Sequence, residues 1–201
     1  MFATMKSTPL LLSALFASLL ALTGCKDASE TPAAAAAAPA ATVSIPAIAT
    51  EAKGFTVGST MSVRTVYVFF DSQCPHCAEL WKTARPLKSQ AKFVWIPVGL
   101  LNPTSVLQGA ALLAAPDPAS AMDAHEASMA EHKGGITASG NLDAQKAAVE
   151  ANTKLMNRFQ FQGVPTIVAR NAVTGELVVR EGALPTAALA AALGLQPPAE
   201  N

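Results

Sequence analysis

Cys74 and Cys77 stand two residues apart within the segment VFFDSQCPHCAELW, residues 68–81. An apolar run precedes them and a helix-like pattern follows them. Cysteines at this spacing serve three kinds of chemistry: a structural metal site, a structural disulfide, or a redox pair that exchanges disulfides with other proteins. The function of the chain depends on which of the three applies.

The metal and structural interpretations find little support in the rest of the sequence. A structural zinc site needs four ligands, and no second C-x-x-C accompanies the pair. His125 and His132 lack the H-x3–5-H spacing that completes such sites. A disulfide that closes so short a loop removes little entropy from the unfolded chain. The sequence therefore favours a redox pair without a bound metal.

The place of the pair in the chain favours a reactive thiolate. Residues 64–70 predict a buried central strand, and residues 74–88 predict a helix that Pro86 kinks or ends. The free N–H groups and the dipole of a helix N-terminus stabilise an anion at Cys74. The thiolate is the form of cysteine that attacks disulfides. Cys77, one turn deeper, is then placed to attack the mixed disulfide and release the partner.

The two residues between the cysteines adjust this pair. Pro75 stiffens the turn and removes one N–H donor. His76, when exposed and cationic, stabilises the Cys74 thiolate further; the alternative is a solvated helix residue without influence. Because a stabilised thiolate makes the disulfide a stronger oxidant, the Pro-His pair favours a protein that donates disulfides.

The order of the remaining predicted elements indicates an α/β fold. They are strands at 92–98, 165–170 and 176–181, a helical section over about 105–161 and a closing helix over 184–194. Ser105, Asp117 and Asn141 are expected to cap three successive helices of the helical section. These elements predict a central mixed β-sheet with flanking helices and a helical insertion.

The first 24 residues indicate an export signal. Lys6 supplies a positive charge, and residues 10–22, LLLSALFASLLAL, form the apolar segment. A helix of these 13 residues spans roughly 20 Å, which is shorter than the roughly 30 Å of a membrane core. We therefore expect a signal peptide over residues 1–24 rather than a membrane span.

The segment LTGC, residues 22–25, resembles a bacterial lipobox. In proteins with this motif the cysteine is acylated and becomes the mature N-terminus, which implies that Cys25 holds the chain to a membrane. The alternative is an ordinary signal peptide followed by a chance cysteine, which would leave an unpaired thiol in an oxidising compartment. By analogy with lipoprotein sorting rules, Lys26 favours the outer membrane.

Residues 25–53 are predicted to form a tether rich in alanine and proline. Pro32, Pro39 and Pro46 interrupt it, and no stretch of it is expected to bury a core. The folded domain is expected over residues 54–196, beginning near Phe55, with residues 197–201 as a tail.

The overall composition excludes several classes of function. The chain has 201 residues and a formal net charge of zero. No basic cluster is present that could neutralise phosphates, so a nucleic-acid partner is not expected. The three cysteines, Cys25, Cys74 and Cys77, are too few for a disulfide-stapled scaffold.

Three segments carry a resemblance to a known family. They are VYVFFDSQCPHCAELWKTARP at 66–86, EANTKLMNRF at 150–159 and GVPT at 163–166. Together they resemble the Dsb family of bacterial envelope thiol:disulfide oxidoreductases, and most of all the DsbG and DsbC catalytic domains. The similarity covers about residues 60–194 and implies a thioredoxin-like fold.

The resemblance also implies a mechanism and a location. Cys74 is the nucleophile, Cys77 resolves the mixed disulfide, and the Cys74–Cys77 disulfide replaces any dissociable cofactor. Pro165 is expected to be cis, with the backbone of Val164 docking a substrate strand. The implied setting is the periplasm, with cysteine-containing envelope proteins as substrates and a membrane partner of DsbB or DsbD type.

The sequence departs from this family in three respects. The N-terminal dimerisation domain of DsbG and DsbC has no counterpart, which argues against V-shaped dimerisation and isomerase activity, and we expect a monomer. Val164 replaces the usual threonine, which with CPHC resembles the oxidase DsbA. Val68 stands where thioredoxin and DsbA carry a buried acid. Asp71 and Glu79 are the nearest groups that could accept the Cys77 proton, although Asp71 is better explained as a loop or capping residue.

The sequence leaves more than one function open. We expect an oxidant of protein thiols, while the DsbG-like segments also fit a reductase or isomerase that rescues oxidised cysteines. Two alternatives from other classes are a thioredoxin-fold copper carrier and a non-catalytic adaptor. Met122, Met129 and Met156 are scattered in predicted helices, so core packing is favoured over a copper cluster.

Overall fold

The structure is a computed structural model that describes residues 41–199. The predicted signal peptide, Cys25 and most of the predicted tether lie outside the described residues, as do the last two residues of the tail. Five strands form one sheet: β1 (Phe55–Gly58), β2 (Thr65–Phe70), β3 (Lys92–Pro97), β4 (Thr166–Arg170) and β5 (Leu177–Glu181).

The sheet is mixed and has β2 at its centre. The strand order is β1-β3-β2-β4-β5. β2 runs parallel to β3 and antiparallel to β4, so that Val68 lies between Trp95 and Ile167. β1 pairs antiparallel with β3, and β5 pairs antiparallel with β4. This arrangement confirms the predicted α/β fold with a central mixed sheet.

Six α-helices cover the sheet within the described residues. They are α1 (Ile45–Glu51), α2 (Pro75–Ala84), α3 (Pro103–Ala114), α4 (Pro118–Ala130), α5 (Asp143–Arg158) and α6 (Thr186–Leu193). α2 continues into a single 3₁₀ turn at Arg85–Leu87. Pro86 explains the early end of α2, because a proline ring clashes with the carbonyl four residues earlier and offers no N–H.

Each face of the sheet carries its own apolar cluster. Phe70 packs with Trp81 and Trp95 on the face that α2 covers, and the two indole rings meet edge to face at 4.9 Å. Phe69 packs with Phe161 and the α5 residues on the other face. Adjacent residues of a strand point to opposite faces, and Phe69 and Phe70 confirm this expectation.

The expectation of a tether through residue 53 is wrong from residue 41 onward. Ser44 caps α1 by accepting a hydrogen bond from the N–H of Ala47, and Ile48 is fully buried. Glu51 pairs with Arg158 of α5 at 2.7 Å. Pro46 lies in the first turn of this helix, where a missing N–H costs nothing. The folded unit therefore begins before the predicted boundary at residue 54.

The predicted helix caps are partly correct. Asp117 caps α4 as expected, accepting from the N–H of Ser120 at 3.1 Å. α3, however, begins at Pro103 with Asn102 as its cap, and Ser105 completes a capping box from the third position. Leu142 occupies the cap position of α5, and Asn141 instead accepts from the N–H of Asp143.

Among residues 41–199, no helix combines the length and the apolarity needed to cross a membrane.

Candidate active site

The two cysteines lie at the start of α2 and differ sharply in exposure. Cys74 is the N-cap residue and Pro75 the first helical residue. Cys74 is 8% exposed, whereas Cys77 is fully buried at 0%. Both are free thiols in the structure, which therefore describes the reduced pair. Cys74 lines an open groove, whereas Cys77 has no exposed surface.

The surroundings of Cys74 favour the thiolate. The pKa of Cys74 falls to about 6, chiefly because the Cys77 thiol donates a hydrogen bond to its sulfur. The backbone N–H groups of Cys77 and His76 contribute as well, and together these effects outweigh the opposing cost of burial. At neutral pH most Cys74 side chains are therefore charged and nucleophilic.

Cys77 has the opposite character. Burial raises the pKa of Cys77 far above its ordinary value, and the nearby Cys74 sulfur raises it further. Cys77 therefore stays protonated when Cys74 is a thiolate. The helix places it as a hydrogen-bond donor to the outer sulfur, within reach for an internal attack.

The two residues between the cysteines are solvent-exposed. Pro75 begins the helix, and the His76 side chain is 73% exposed with Nδ1 at 3.7 Å from the Glu79 carboxylate. Charge on His76 is the smallest of the influences that lower the pKa of Cys74, after the hydrogen bonds. The contribution of His76 to the thiolate is thus carried more by its backbone than by its ring.

Val164 and Pro165 lie opposite the cysteines, at the start of β4. The peptide bond between them is cis, as the family resemblance implied. The Cys74 sulfur lies 3.5 Å from the carbonyl oxygen of Val164. Pro165 is buried, and Val164 is partly exposed beside the reactive sulfur.

Asp71 is a buried capping residue of the active-site loop. Its carboxylate accepts from the N–H of Gln73 at 2.8 Å, and from those of Leu100 and Leu101 at 2.8 and 3.0 Å. These bonds join the loop before Cys74 to the loop after β3. The interpretation of Asp71 as a capping residue is confirmed by these contacts.

Glu79 and Val68, the other two positions considered near Cys77, provide no buried group that could accept the Cys77 proton. Glu79 is exposed and faces His76. Val68, where related folds carry an acid, is 1% exposed and packs in the apolar core.

His125 of α4 supports the active-site loop from the helical insertion. The ring is fully buried; Nε2 lies 2.7 Å from the carbonyl oxygen of Ser72, and Nδ1 accepts from the N–H of Ile136 at 3.2 Å. Burial lowers the pKa of His125, so the ring is neutral and donates through Nε2. Gly135, at φ 87°, lies against this ring with no room for a side chain.

Two glutamines make a second link between the loop and the insertion. Gln73 donates to the side-chain oxygen of Gln108. Gln108 in turn donates to the carbonyl oxygens of Gly134 and Ile136. The sequence did not predict these supporting residues, because each lies more than 25 positions from its partner on the loop and carries no motif.

A groove of about 410 Å³ opens beside Cys74, between α2 and α4. Cys74, Lys82, Glu126, Met129 and His132 are among the residues that line it. Glu126 is only 7% exposed, and burial raises the pKa of its carboxyl group to about 7. The sequence does not predict this acid, because it lies 52 positions after Cys74 and belongs to no motif.

Among residues 41–199, no three His, Cys, Asp or Glu side chains come together as a group that could hold a metal ion.

Comparisons with known proteins agree with this geometry. A family model for the thioredoxin-like domain matches residues 58–196. The chain is 35% identical to the thiol:disulfide interchange protein DsbG of Escherichia coli K12 over 104 residues, 51% of this chain and 42% of that protein. It is 33% identical to the DsbG of Pseudomonas aeruginosa over 143 residues, 68% of this chain and 54% of that protein. The chain thus spans about half the length of these relatives.

Solved structures show the same fold at lower identity. A periplasmic thioredoxin-like protein from Salmonella enterica serovar Typhimurium superposes with a TM-score of 0.60 at 18% identity, covering 77% of this chain and 97% of that one. The catalytic domain of Proteus mirabilis ScsC gives 0.56 at 17%, covering 74% and 96%. Because the family model matches well over half of the sequence, the chain belongs to the thioredoxin-like domain family, and its resemblance to the Dsb proteins is confirmed by the similarity to DsbG.

Proposed function

We propose that this protein is a thiol:disulfide oxidoreductase that exchanges disulfides with cysteine-containing proteins. The observation that carries the proposal is the contrast between its two sulfurs. Cys74 lies at the surface edge with its pKa lowered to about 6, whereas Cys77 is fully buried and protonated. This asymmetry supports an outer nucleophile with an inner resolving thiol.

The exchange uses each sulfur in turn. In the reducing direction the Cys74 thiolate attacks a substrate disulfide, and the electron pair of the broken S–S bond leaves with one substrate sulfur. Cys77 then loses its proton and attacks Cys74, which releases the second substrate sulfur and forms the Cys74–Cys77 disulfide. The oxidising direction is the reverse, with the same bonds made and broken. The cofactor is the disulfide itself.

Val164 and Pro165 are proposed to position the substrate. The carbonyl oxygen of Val164 lies 3.5 Å from the Cys74 sulfur. An extended substrate segment can pair with that backbone and bring its own cysteine to Cys74. His76 and Pro75, both exposed at the helix start, border the same approach.

We propose oxidation as the favoured direction. A Cys74 pKa well below that of free cysteine stabilises the reduced protein, and this makes the disulfide a stronger oxidant. The similarity to DsbG favours the alternative, a reductase or isomerase that rescues oxidised cysteines. Equilibration with glutathione buffers separates them: a potential near about −120 mV supports oxidation, and one near about −200 mV or below supports reduction.

A trapping experiment tests the proposal as a whole. In the Cys77→Ser protein the mixed disulfide cannot be resolved, so proteins that react with Cys74 stay attached. We expect Cys77→Ser cells to accumulate covalent adducts that disappear on reduction, and the Cys74→Ser control to accumulate none. Equal adducts in both variants, or none in either, contradict the proposal.

The cellular setting is proposed from the N-terminal sequence. Acylation of Cys25 would hold the protein on the periplasmic side of the envelope, with the outer membrane favoured by Lys26. A membrane partner of DsbB or DsbD type would recycle the redox pair, and the protein would act as a monomer. Labelled fatty acid should enter the full-length protein and not the Cys25→Ser variant, and light scattering of the purified protein checks the monomer.

A further inference from the structure

Glu126 is the one acid that lines the groove beside Cys74. Only 7% of the residue is exposed, yet no hydrogen-bond or ion-pair partner for its carboxylate occurs among residues 41–199. No buried side-chain oxygen or nitrogen of that region is left without a partner. The Glu126 oxygens are therefore not fully enclosed, and the openings that Glu126 lines are the groove beside Cys74 and a neighbouring one beside Arg85 and Asp123.

The neighbouring acid on α4 shows the contrast. Asp123, one turn earlier, accepts from Nε1 of Trp81 at 2.7 Å and pairs with Arg85 at 2.7 Å. Its carboxylate is committed to holding α4 against α2. Glu126 has no such structural task, although the desolvation of a carboxylate without a partner is costly.

We propose that Glu126 is the group that gives a proton to, and takes a proton from, the substrate sulfur during exchange at Cys74. This inference rests on the proposed function and holds for either direction of electron flow. It adds a catalytic residue that lies on the helical insertion rather than on the thioredoxin-like core.

The proton count closes in the reducing direction. The Cys74 thiolate attacks one sulfur of a substrate disulfide, and the other sulfur leaves with the electron pair as a thiolate. The protonated Glu126 carboxyl supplies a proton to that thiolate and becomes a carboxylate, which water reprotonates. In the oxidising direction the same step runs in reverse: the Glu126 carboxylate takes the proton of the second substrate thiol, whose sulfur attacks the substrate sulfur of the mixed disulfide and releases Cys74 as a thiolate.

The pKa values of Cys74 and Glu126 fit a role of Glu126 in proton transfer to and from the substrate sulfur. Cys74 ionises with a pKa of about 6 and Glu126 with a pKa of about 7, so near neutral pH a thiolate and an acid coexist. Burial is the main cause of the raised Glu126 pKa; Lys82 opposes it and Cys74 adds to it. Arg85, Asp123 and His132 are the remaining charged or titratable groups along this side of α2 and α4.

The test uses leaving groups of different acidity. Reduced full-length protein is mixed with mixed disulfides of one cysteine peptide, which carry either an aromatic thiol of pKa about 5 or an alkyl thiol of pKa about 9, and rapid quench gives the first-step rate. The alkyl thiolate is a poor leaving group and needs the proton from Glu126, whereas the aromatic thiolate is a good leaving group and does not. We expect Glu126→Gln to slow release of the alkyl thiol about 100-fold and to leave release of the aromatic thiol unchanged.

Controls and pH profiles sharpen the result. Glu131→Gln, an exposed acid at the end of the same helix that pairs with Lys133, should change neither rate, and Glu126→Asp should recover part of the alkyl rate. With the alkyl substrate, kcat/KM should rise through about pH 6 and fall above about pH 7, and Glu126→Gln should lose only the fall.

Three outcomes decide the matter. An equal loss with both leaving groups overturns the inference in favour of a purely electrostatic effect on Cys74. No loss of rate with either leaving group overturns the inference as well. A change in KM that is confined to peptides with basic residues also overturns it, because Glu126 would then be a cation-binding residue. Failure of the unmodified protein to react with any of these disulfides would instead refute the proposed function.

Discussion

Nε2 of His125 lies 2.7 Å from the carbonyl oxygen of Ser72, so that a buried ring of the helical insertion holds the loop that carries the redox pair. The other ring nitrogen accepts from the N–H of Ile136. One neutral imidazole thus satisfies a donor and an acceptor from two loops 64 residues apart.

Replacing this ring should destabilise the protein. His125→Ala leaves the Ser72 carbonyl and the Ile136 N–H unpaired and opens a cavity, which should lower the free energy of unfolding by about 2–4 kcal/mol. Urea denaturation followed by tryptophan fluorescence measures the change. His132→Ala, an exposed histidine at the end of α4, is the matched control and should change it by less than about 0.5 kcal/mol.

The same ring should make stability depend on pH. The folded pKa of His125 lies below its ordinary value of 6.5, so the unfolded chain binds more protons. Its contribution is complete above pH 6.5 and is lost as the pH falls from there toward the folded pKa. The free energy of unfolding should therefore drop between pH 7 and pH 5 more steeply in the unmodified protein than in His125→Gln. Parallel profiles of the two proteins would contradict this.

The acidity of Cys74 should depend on its buried partner. Alkylation of the reduced protein by iodoacetamide should follow a titration with a midpoint at about pH 6. Cys77→Ala removes the thiol hydrogen bond that is the main cause of the shift, so the midpoint should move to higher pH. A midpoint like that of free cysteine in the unmodified protein would remove the basis of the proposed function.

Asp71 should matter for stability and Glu79 should not. Asp71→Ala leaves three backbone N–H groups without their carboxylate acceptor, which should cost about 2–4 kcal/mol of unfolding free energy. Glu79→Ala is the control, because it removes a solvent-exposed acid that lies nearby in the sequence. Denaturation should show that it changes the free energy of unfolding by less than about 0.5 kcal/mol. Equal effects of the two substitutions would show that the Asp71 bonds do not hold the loop.

The helix before the predicted domain boundary should contribute to folding. Ile48 is fully buried, so Ile48→Ala should lower the free energy of unfolding by about 2–4 kcal/mol. Met61→Ala serves as control, because Met61 is 91% exposed. If both substitutions are neutral, residues 41–53 behave as the unpacked tether that the sequence predicted.

The sequence predicted elements whose signal is local. β2 and β3 are continuous apolar runs, and the cap and proline at Asp117 and Pro118 begin α4 as expected. β1 is only four residues long and ends in glycine, too short for a pattern to emerge. The sequence does not predict α1, because a proline in an alanine-rich segment indicates an interruption, whereas Pro46 lies in the first turn of the helix.

The same distinction between local and long-range signals applies to the residues of the candidate site. Cys74 and Cys77 lie within one helical turn, so their spacing, the lack of further metal ligands and their place between a strand and a helix together indicated redox chemistry. Val164 and Pro165 were placed opposite them by family resemblance, because no local pattern relates Cys74 to Val164, which lies 90 positions later. His125, Gln108 and Glu126 reach the site only through packing of the helical insertion, which a single sequence does not specify.

The burial of Cys77 has a kinetic consequence. Cys77 has no exposed surface, whereas Cys74 lines the groove. In the proposed exchange, the client and the recycling protein therefore both react at Cys74, compete for it and alternate in a ping-pong cycle. A large excess of the client or of the recycling protein should occupy Cys74 in unproductive encounters. The turnover rate should therefore pass through a maximum as the concentration of that protein rises.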